Sequence, residues 1–251
     1  MSRLTKFAAA AHREACGLVD SAHELSAWEK QFVLDHYHGP ACLDQRARRV
    51  SFTPSALARA MTIHVVGTRI VDLCAGIGHL AFACANTHGH AGEPAPQLLC
   101  IEQNPKLVRV GMKIVPEARW LCADILDLGP QVRRFDVAIA NPPHGRVVRT
   151  ANAPGYHGHR FEYHAIAIAA SMARQGVFLI PQSSAPLRLH GRPSPVVRAS
   201  NPEYRRFVNA TGIVLTPSYW IDTSRFDSGW HQRPRRTEVG LSYFADPTVQ
   251  R

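Results

Sequence analysis

The chain has 251 residues, enough for one large α/β domain with an appendage, and its 45% hydrophobic fraction supports a sizeable core. There is no stretch of 18 apolar residues to span a membrane, and Met1–Ala11 lacks the apolar segment and cleavage site of a secretory signal. Net charge is +10, with 29 basic against 19 acidic residues, which draws the chain towards polyanions in a salt-dependent way. Only Lys6, Lys30, Lys106 and Lys113 are lysine and the other basic residues are arginine, whose planar fork suits phosphate and guanine. A GC-rich genome accounts for that ratio but not for the net charge. Six cysteines without a Cys-x-x-Cys pair point to a reduced, cytoplasmic setting, and Cys74, Cys84, Cys100 and Cys122 read as buried small hydrophobes.

Residues 1–49 read as a separate helical extension and 50–251 as the main domain. In the extension, Thr5–Cys16 and Glu24–Tyr37 carry apolar residues at helical spacing (Leu25, Trp28, Phe32 and Val33 in the second), and Gly39-Pro40 ends the second helix. Arg46, Arg48 and Arg49 lead into the main domain. There, Pro54–Val66 reads as a helix capped by Thr53, Arg69–Leu73 as a buried strand and Gly78–Asn86 as a helix. Leu98–Ile101, Arg119–Cys122, Asp136–Ala140 and Val177–Ile180 read as strands, with helices at Pro105–Ile114 and Phe161–Arg174 between them. A helix at Pro202–Thr211 and a strand at Ile213–Leu215 follow. Ser218–Asp222 and Thr237–Phe244 then suggest a hairpin with a long connection, and so an antiparallel edge strand. Alternating strands and helices imply a mostly parallel sheet with helices on both faces.

The first strand runs into Asp72-Leu73-Cys74-Ala75-Gly76-Ile77-Gly78, a glycine turn that lets backbone approach a ligand beyond the strand end. The second strand leads to Glu102 and Gln103, where a carboxylate can accept from two ribose hydroxyls. The third is followed by Asp124 and Ile125, an acceptor for an adenine amino group and an apolar neighbour for its ring. A third glycine at the helix start, usual in NAD-binding folds, is missing. Asp72, Gly76, Gly78, Glu102 and Asp124 together resemble the cofactor motifs of the class I, Rossmann-like S-adenosylmethionine-dependent methyltransferases. That resemblance implies a seven-stranded sheet with a C-terminal antiparallel hairpin, and S-adenosylmethionine as cofactor. It implies Phe52, Thr53, Pro54, Asp72, Cys74, Ala75, Gly76, Gly78, Glu102, Gln103, Asp124, Ile125 and Asn141 as its binding residues. Ser51-Phe52-Thr53-Pro54 resembles the segment before the glycine motif in DNA amino-methyltransferases.

The fourth strand leads directly into Asn141-Pro142-Pro143-His144. Two prolines fix the backbone, so the Asn141 side-chain oxygen and the Pro142 carbonyl can face one amino group. A conjugated amine is a poor nucleophile; two acceptors on its hydrogens aim its lone pair, and orientation supplies much of the rate. The run resembles the Asn/Asp-Pro-Pro-aromatic motif of adenine and cytosine amino-methyltransferases, and the related motif of protein-glutamine and some RNA enzymes. Asn141, Pro142, Pro143 and His144 are thus the expected catalytic residues. His144 departs from the usual aromatic residue; its ring can still stack on a flipped base, less strongly.

Arg146, Arg149 and Arg160 in one loop, and Arg188, Arg192 and Arg198 in a second, make basic loops flanking the site, with Arg205, Arg206, Arg233, Arg235 and Arg236 beyond. Arg146, Arg149, Arg160, Arg188 and Arg192 are the expected nucleic-acid contacts. Residues 163–244 resemble the second half of the DNA amino-methyltransferase fold, without the separate target-recognition domain usual in sequence-specific enzymes. The spacing of His12, Cys16, His36, His38 and Cys42 fits no zinc pattern, and no metal is expected. The resulting expectation is an adenine-specific DNA methyltransferase of a restriction-modification system or phage, with nucleic acid as partner. An RNA or protein amino-methyltransferase, or an inactive cofactor-binding protein, stands as the alternative.

Overall fold

The structure is a computed structural model that describes residues 4–38, 51–87, 94–128, 134–194, 196–197, 201–231 and 236–244. Gly39, Pro40, Cys42, Arg46, Arg48, Arg49, Arg198, Arg233 and Arg235 lie outside the described residues.

Seven strands form one sheet: β1 (Arg69–Leu73), β2 (Gln97–Glu102), β3 (Arg119–Cys122), β4 (Phe135–Ala140), β5 (Ala173–Pro181), β8 (Thr216–Pro217) and β9 (Thr237–Tyr243). Their spatial order is β3-β2-β1-β4-β5-β9-β8. β1 to β5 are parallel, with Asp72 opposite both Cys100 of β2 and Ile139 of β4. From β1 the chain builds outward to β2 and β3, then returns to β4 on β1's other side. This reversal opens a crevice beyond the carboxyl ends of β1 and β4, where open α/β sheets bind ligands.

The helices are α1 (Lys6–Asp20), α2 (Ala27–His36), α3 (Ser55–Met61), α4 (His79–Thr87), α5 (Pro105–Ile114), α6 (Phe161–Met172) and α7 (Pro202–Thr211). Alternate strand residues point to opposite faces, and two cores result. Ile70, Val137, Ile139, Val177 and Leu179 pack with α3, α4 and α5 and with Ala15, Val33 and Leu34 of the extension. Val71, Ala138, Ala140, Phe178 and Ile180 pack with α6 and with Phe207 of α7. The described part of the extension therefore shares the core of the sheet it covers.

Several expectations are corrected. The strand expected at 213–215 and the hairpin arm expected at 218–222 are replaced by β8 at Thr216–Pro217, followed by a 3-10 helix at Thr223–Gly229. The antiparallel strand is not the edge: β9 lies between β5 and β8, because its mainly buried residues need neighbours on both sides. The second basic loop contains a small hairpin, β6 (Leu187–Arg188) with β7 (Val196–Val197). The helix expected to reach Val66 stops at Met61 and tightens to a 3-10 turn at Thr62–His64, where β-branched Thr62 and Ile63 disfavour α-helix. α2 begins at Ala27 because Ser26 and Glu29 form a capping box. Trp28 is 65% exposed and stacks on Phe32, so the buried stripe of α2 is Val33 and Leu34. Cys84 and Cys100 are buried as expected, but Cys122 is exposed because β3 is an edge strand.

Candidate active site

The turn after β1 is built on three left-handed residues: Cys74 (φ 63), Gly76 (φ 59) and Gly78 (φ 93). Cys74 is the only non-glycine with positive φ among the described residues, a conformation that costs about 1–2 kcal/mol for an L-residue. The turn is pinned where Ala75 N–H donates to the Ile101 carbonyl (2.9 Å) and Gly76 N–H to Glu102 Oε2 (2.9 Å). Glu102 Oε1 accepts from Asn104 N–H at 2.9 Å, so the carboxylate bridges two backbone turns and keeps further lone pairs. A Cβ on Gly76 would lie 3.2 Å from the Phe52 ring, so the glycine admits Phe52 against the backbone.

Asp72 is buried; its Oδ2 accepts from Ala81 N–H (3.2 Å), and its Oδ1 has no hydrogen-bond partner among the described residues. Burial, with Glu102 nearby, raises the Asp72 carboxyl well above the usual range; burial likewise raises Glu102 against its backbone hydrogen bonds. The Cys74 thiol is pushed well up by burial first and then by the negative charge of Glu102, Asp72 and Asp124. Asp124 caps the 3-10 turn Ile125–Asp127 through Leu126 N–H (2.9 Å), while Ile125 is buried in the α6-side core. Gln103 is exposed beside them.

Across the crevice, Asn141 follows β4. Its Nδ2 donates to the Ser51 carbonyl (3.1 Å) and to Thr53 Oγ1 (3.0 Å). A carbonyl can only accept, so the nitrogen occupies that side and Oδ1 faces the other way. The Phe52-Thr53-Pro54 segment thus holds the Asn141 amide and, through Phe52, floors the glycine turn. Phe52 also stacks on His79 (5.3 Å between centroids, 24°). His79 donates from Nε2 to the Leu34 carbonyl (3.0 Å), and burial pushes its pKa down to about 4, so it remains a neutral strut between the cofactor turn and α2. Pro142 is buried and Pro143 half-buried. His144 Nε2 contacts the Leu179 carbonyl of β5 at 3.3 Å, which makes it the Nε2–H tautomer and ties the ring to the sheet.

The exit of this loop rests on Glu162, a fully buried carboxylate in the first turn of α6. It accepts from Gly145 N–H (2.7 Å) and from the Ser184 hydroxyl, and it pairs with Arg160 (3.4 Å). Arg160 also pairs with Glu203 (3.2 Å), so it braces the loop from within. Arg149 donates to Asn152 Oδ1 and to the Gly158 carbonyl (2.7 Å), while Arg146 is exposed. Sequence reasoning missed Glu162 and His79, whereas Ser51 belongs to the Ser51-Phe52-Thr53-Pro54 segment that it singled out. The signal for Glu162 is a lone acid opening a helix that is otherwise apolar all round (Phe161–Met172). Among the described residues no group of three His, Cys, Asp or Glu could hold a metal, although His12, Cys16 and His38 lie close together.

No family model and no curated protein matches the sequence. Solved structures do. A modification subunit of a type I restriction enzyme from Vibrio vulnificus YJ016 superposes with TM-score 0.54 at 12% identity, over 90% of this chain and 51% of that one. The methyltransferase subunit of a type I restriction-modification system from Streptococcus thermophilus gives 0.51 at 12% identity, over 93% and 48%. A class I S-adenosylmethionine-dependent methyltransferase from Listeria monocytogenes gives 0.51 at 12% identity, over 96% and 90%. The chain has the class I methyltransferase fold. It spans about half the length of the two restriction-modification subunits. Among the described residues no helix is long and apolar enough to cross a membrane.

Proposed function

We propose that this protein transfers a methyl group from S-adenosylmethionine to the exocyclic amino group of a nucleic-acid base, adenine in DNA first among the candidates. The observation that carries this reading is the Asn141 amide, clamped by Ser51 and Thr53 so that Oδ1 remains as an acceptor in the β1–β4 crevice.

The residues present fit the cofactor. Asp72 Oδ1 is a buried acceptor without a partner among the described residues, the Gly76 turn at positive φ holds Phe52 within 3.2 Å of where a Cβ would lie, and the Glu102 carboxylate accepts from backbone N–H groups of both turns. Phe52, Thr53, Pro54, Asp72, Cys74, Ala75, Gly76, Gly78, Glu102, Gln103, Asp124 and Ile125 would hold it. When bound, S-adenosylmethionine supplies an electrophilic methyl group on a sulfonium. The protein's part is orientation: Asn141 Oδ1 and the Pro142 carbonyl accept the two amine hydrogens, and Pro142-Pro143 hold both acceptors still. Thr53 is a positioning residue for Asn141. His144, tethered to Leu179, offers a ring face to a flipped base. Exposed Arg146 lies beside this loop for the polynucleotide backbone. The fold shared with restriction-modification subunits and the +10 charge support nucleic acid as substrate. Free thiols throughout the described chain suit a reducing cytoplasm.

The test is transfer of labelled methyl from S-adenosylmethionine to unmethylated DNA, RNA and a ribosomal protein fraction, followed by digestion to nucleosides and amino acids. Methyladenine in DNA, lost in Asn141→Ala, is the expected result. Label found in RNA or protein alone would overturn the DNA assignment, and full activity in Asn141→Ala would overturn the catalytic one.

A further inference from the structure

A second cavity opens at the same end of the sheet, beyond β5. It has a volume of about 680 Å³ and is lined by Gln182, Arg188, His190, Arg192, Asp227 and Arg236, with the Gly191-Arg192-Pro193 turn as one wall. Three of these side chains are arginines and one is a carboxylate. Among the described residues none of the three arginines takes part in an ion pair, whereas Arg160 and Arg69 do. The Nε of Arg188 is buried without a hydrogen-bond partner among the described residues. Asp227, the one acid, lies 3.7 Å from His190 Nε2 on the far side of the imidazole from Thr223.

The frame that presents these arginines is rigid. Glu238, buried in β9, accepts from Leu189 N–H (3.0 Å), His190 N–H (3.3 Å) and Gln182 Nε2 (3.0 Å). Gly191 N–H donates to Asp222 Oδ1 (2.9 Å), and His190 Nδ1 meets Thr223 Oγ1 (2.9 Å). The buried carboxylate of Glu238 thus sets backbone rather than pairing with these arginines, none of which has an ion-pair partner among the described residues. Such a pre-set group of guanidiniums matches the fork geometry and charge of phosphodiester oxygens. Its place matches too: Gln182, the residue after β5, is three residues along the chain from Leu179, to which His144 is tethered, a span of at most roughly 10 Å.

We propose that this cavity is a phosphodiester subsite, which grips the polynucleotide backbone beside the base held at Asn141 and His144. The proposal rests on the reading of the substrate as nucleic acid. It assigns Arg188, Arg192 and Arg236 to substrate affinity, with Gln182 and Glu238 setting their frame.

The test uses the full chain and a fluorescent DNA oligonucleotide, duplex and single-stranded, with binding followed by anisotropy over a salt series and cofactor affinity measured by calorimetry. Each phosphate contact contributes about 0.9 to the slope of log affinity against log salt on duplex DNA. Arg192→Gln with Arg236→Gln is expected to lower affinity about tenfold or more and the slope by about two, for any sequence. Arg188→Gln removes about one further unit. Arg119→Gln, at the opposite end of the sheet, leaves both unchanged, and cofactor affinity stays within twofold in every variant. If Arg188→Gln also loses cofactor binding, the Arg192 and Arg236 substitutions, both at exposed positions, carry the decision. Wild-type affinity and slope in that double variant would overturn the subsite while leaving the methyltransferase reading intact. A wild-type chain that binds neither DNA form overturns both. Competition by polyglutamate equal to that by DNA overturns the phosphodiester assignment.

Discussion

The carboxyl end of the sheet divides into two halves of opposite charge. At or just after the carboxyl ends of β1, β2 and β3 stand Asp72, Glu102 and Asp124. Beyond the carboxyl end of β5 and the amino end of β9 stand Arg188, Arg192 and Arg236, with Asp227, around one cavity. Asn141 lies between, after β4. Both halves use a buried carboxylate as a staple for backbone N–H groups, Glu102 in one and Glu238 in the other. They differ in what is left over. On the first side three acids stand at the strand ends; on the second, three arginines and a single acid, Asp227, line the cavity. The point where strand order reverses thus separates a mainly acidic from a mainly basic side, which, on the function proposed above, suits a sulfonium-bearing cofactor on one side and a polyanion on the other.

The largest effect that would break this comparison is at its boundary. Asn141→Ala is expected to lower methyl transfer about 100- to 1,000-fold, the scale of removing one group aimed at the reacting atoms, with cofactor affinity changed far less. Single-turnover transfer and calorimetry separate the two, and an equal loss in both would make Asn141 a cofactor ligand only. Next comes Glu102→Ala on the acidic side. It removes charge-assisted hydrogen bonds of about 1.5–3 kcal/mol each, so cofactor affinity should fall about 10- to 100-fold while oligonucleotide affinity holds. A parallel fall in oligonucleotide binding would mean that the two halves are not independent.

Gly76→Ala tests the close approach of Phe52. The substitution forces an L-residue to φ 59 and a methyl to within 3.2 Å of the ring. A cost of about 1–2 kcal/mol, or about 2–8 °C in melting temperature, and weaker cofactor binding are expected. An unchanged melting temperature would show that Phe52 moves freely. The smallest effect is expected below the rim, where His38 faces His12, His231 and His36. Burial and these neighbours depress the His38 pKa from 6.5 to about 4, and burial lowers His12 and His231 as well. His38, His12 and His231 therefore protonate less readily in the fold than in the unfolded chain. Their contribution is present above pH 6.5 and is lost as pH falls from there towards 4. Melting temperature measured from pH 8 to pH 4 should drop across that window, and less steeply in His38→Asn. A curve for that variant superimposable on the wild type would remove the cluster from the account.

Much of the acidic half was legible in the sequence. β1 and β3 run over the expected residues because short apolar runs between turn signals leave little freedom, and Asn201 with Pro202 marks the start of α7. The glycine turn, Glu102 and Asp124 were singled out because each stands at or just after a strand end, a chain position that local pattern reveals. The basic half was less legible. The arginines were visible, but the cavity is made by β9 inserting beside β5 and by Glu238 reaching Leu189, contacts between residues far apart in sequence. No local pattern marks that pairing. Arg160 shows the same limit: as a sequence it reads like Arg188, and only its contacts with Glu162 and Glu203 distinguish a brace from a free cation.

One consequence of the strand order concerns the company the protein keeps in a crowded solution. A sheet edge is a template on which another chain can add a strand. Here one border is β8, two residues long, and Pro217 has no N–H to offer. The other is β3, four residues that open on Arg119. By placing the nine-residue β5 and the seven-residue β9 inside the sheet and so short a strand outside it, the fold keeps its longest rows of hydrogen-bonding groups away from strangers. Protection against sheet-to-sheet aggregation is thus written into backbone length and proline, and it should persist in salt concentrated enough to screen the +10 charge.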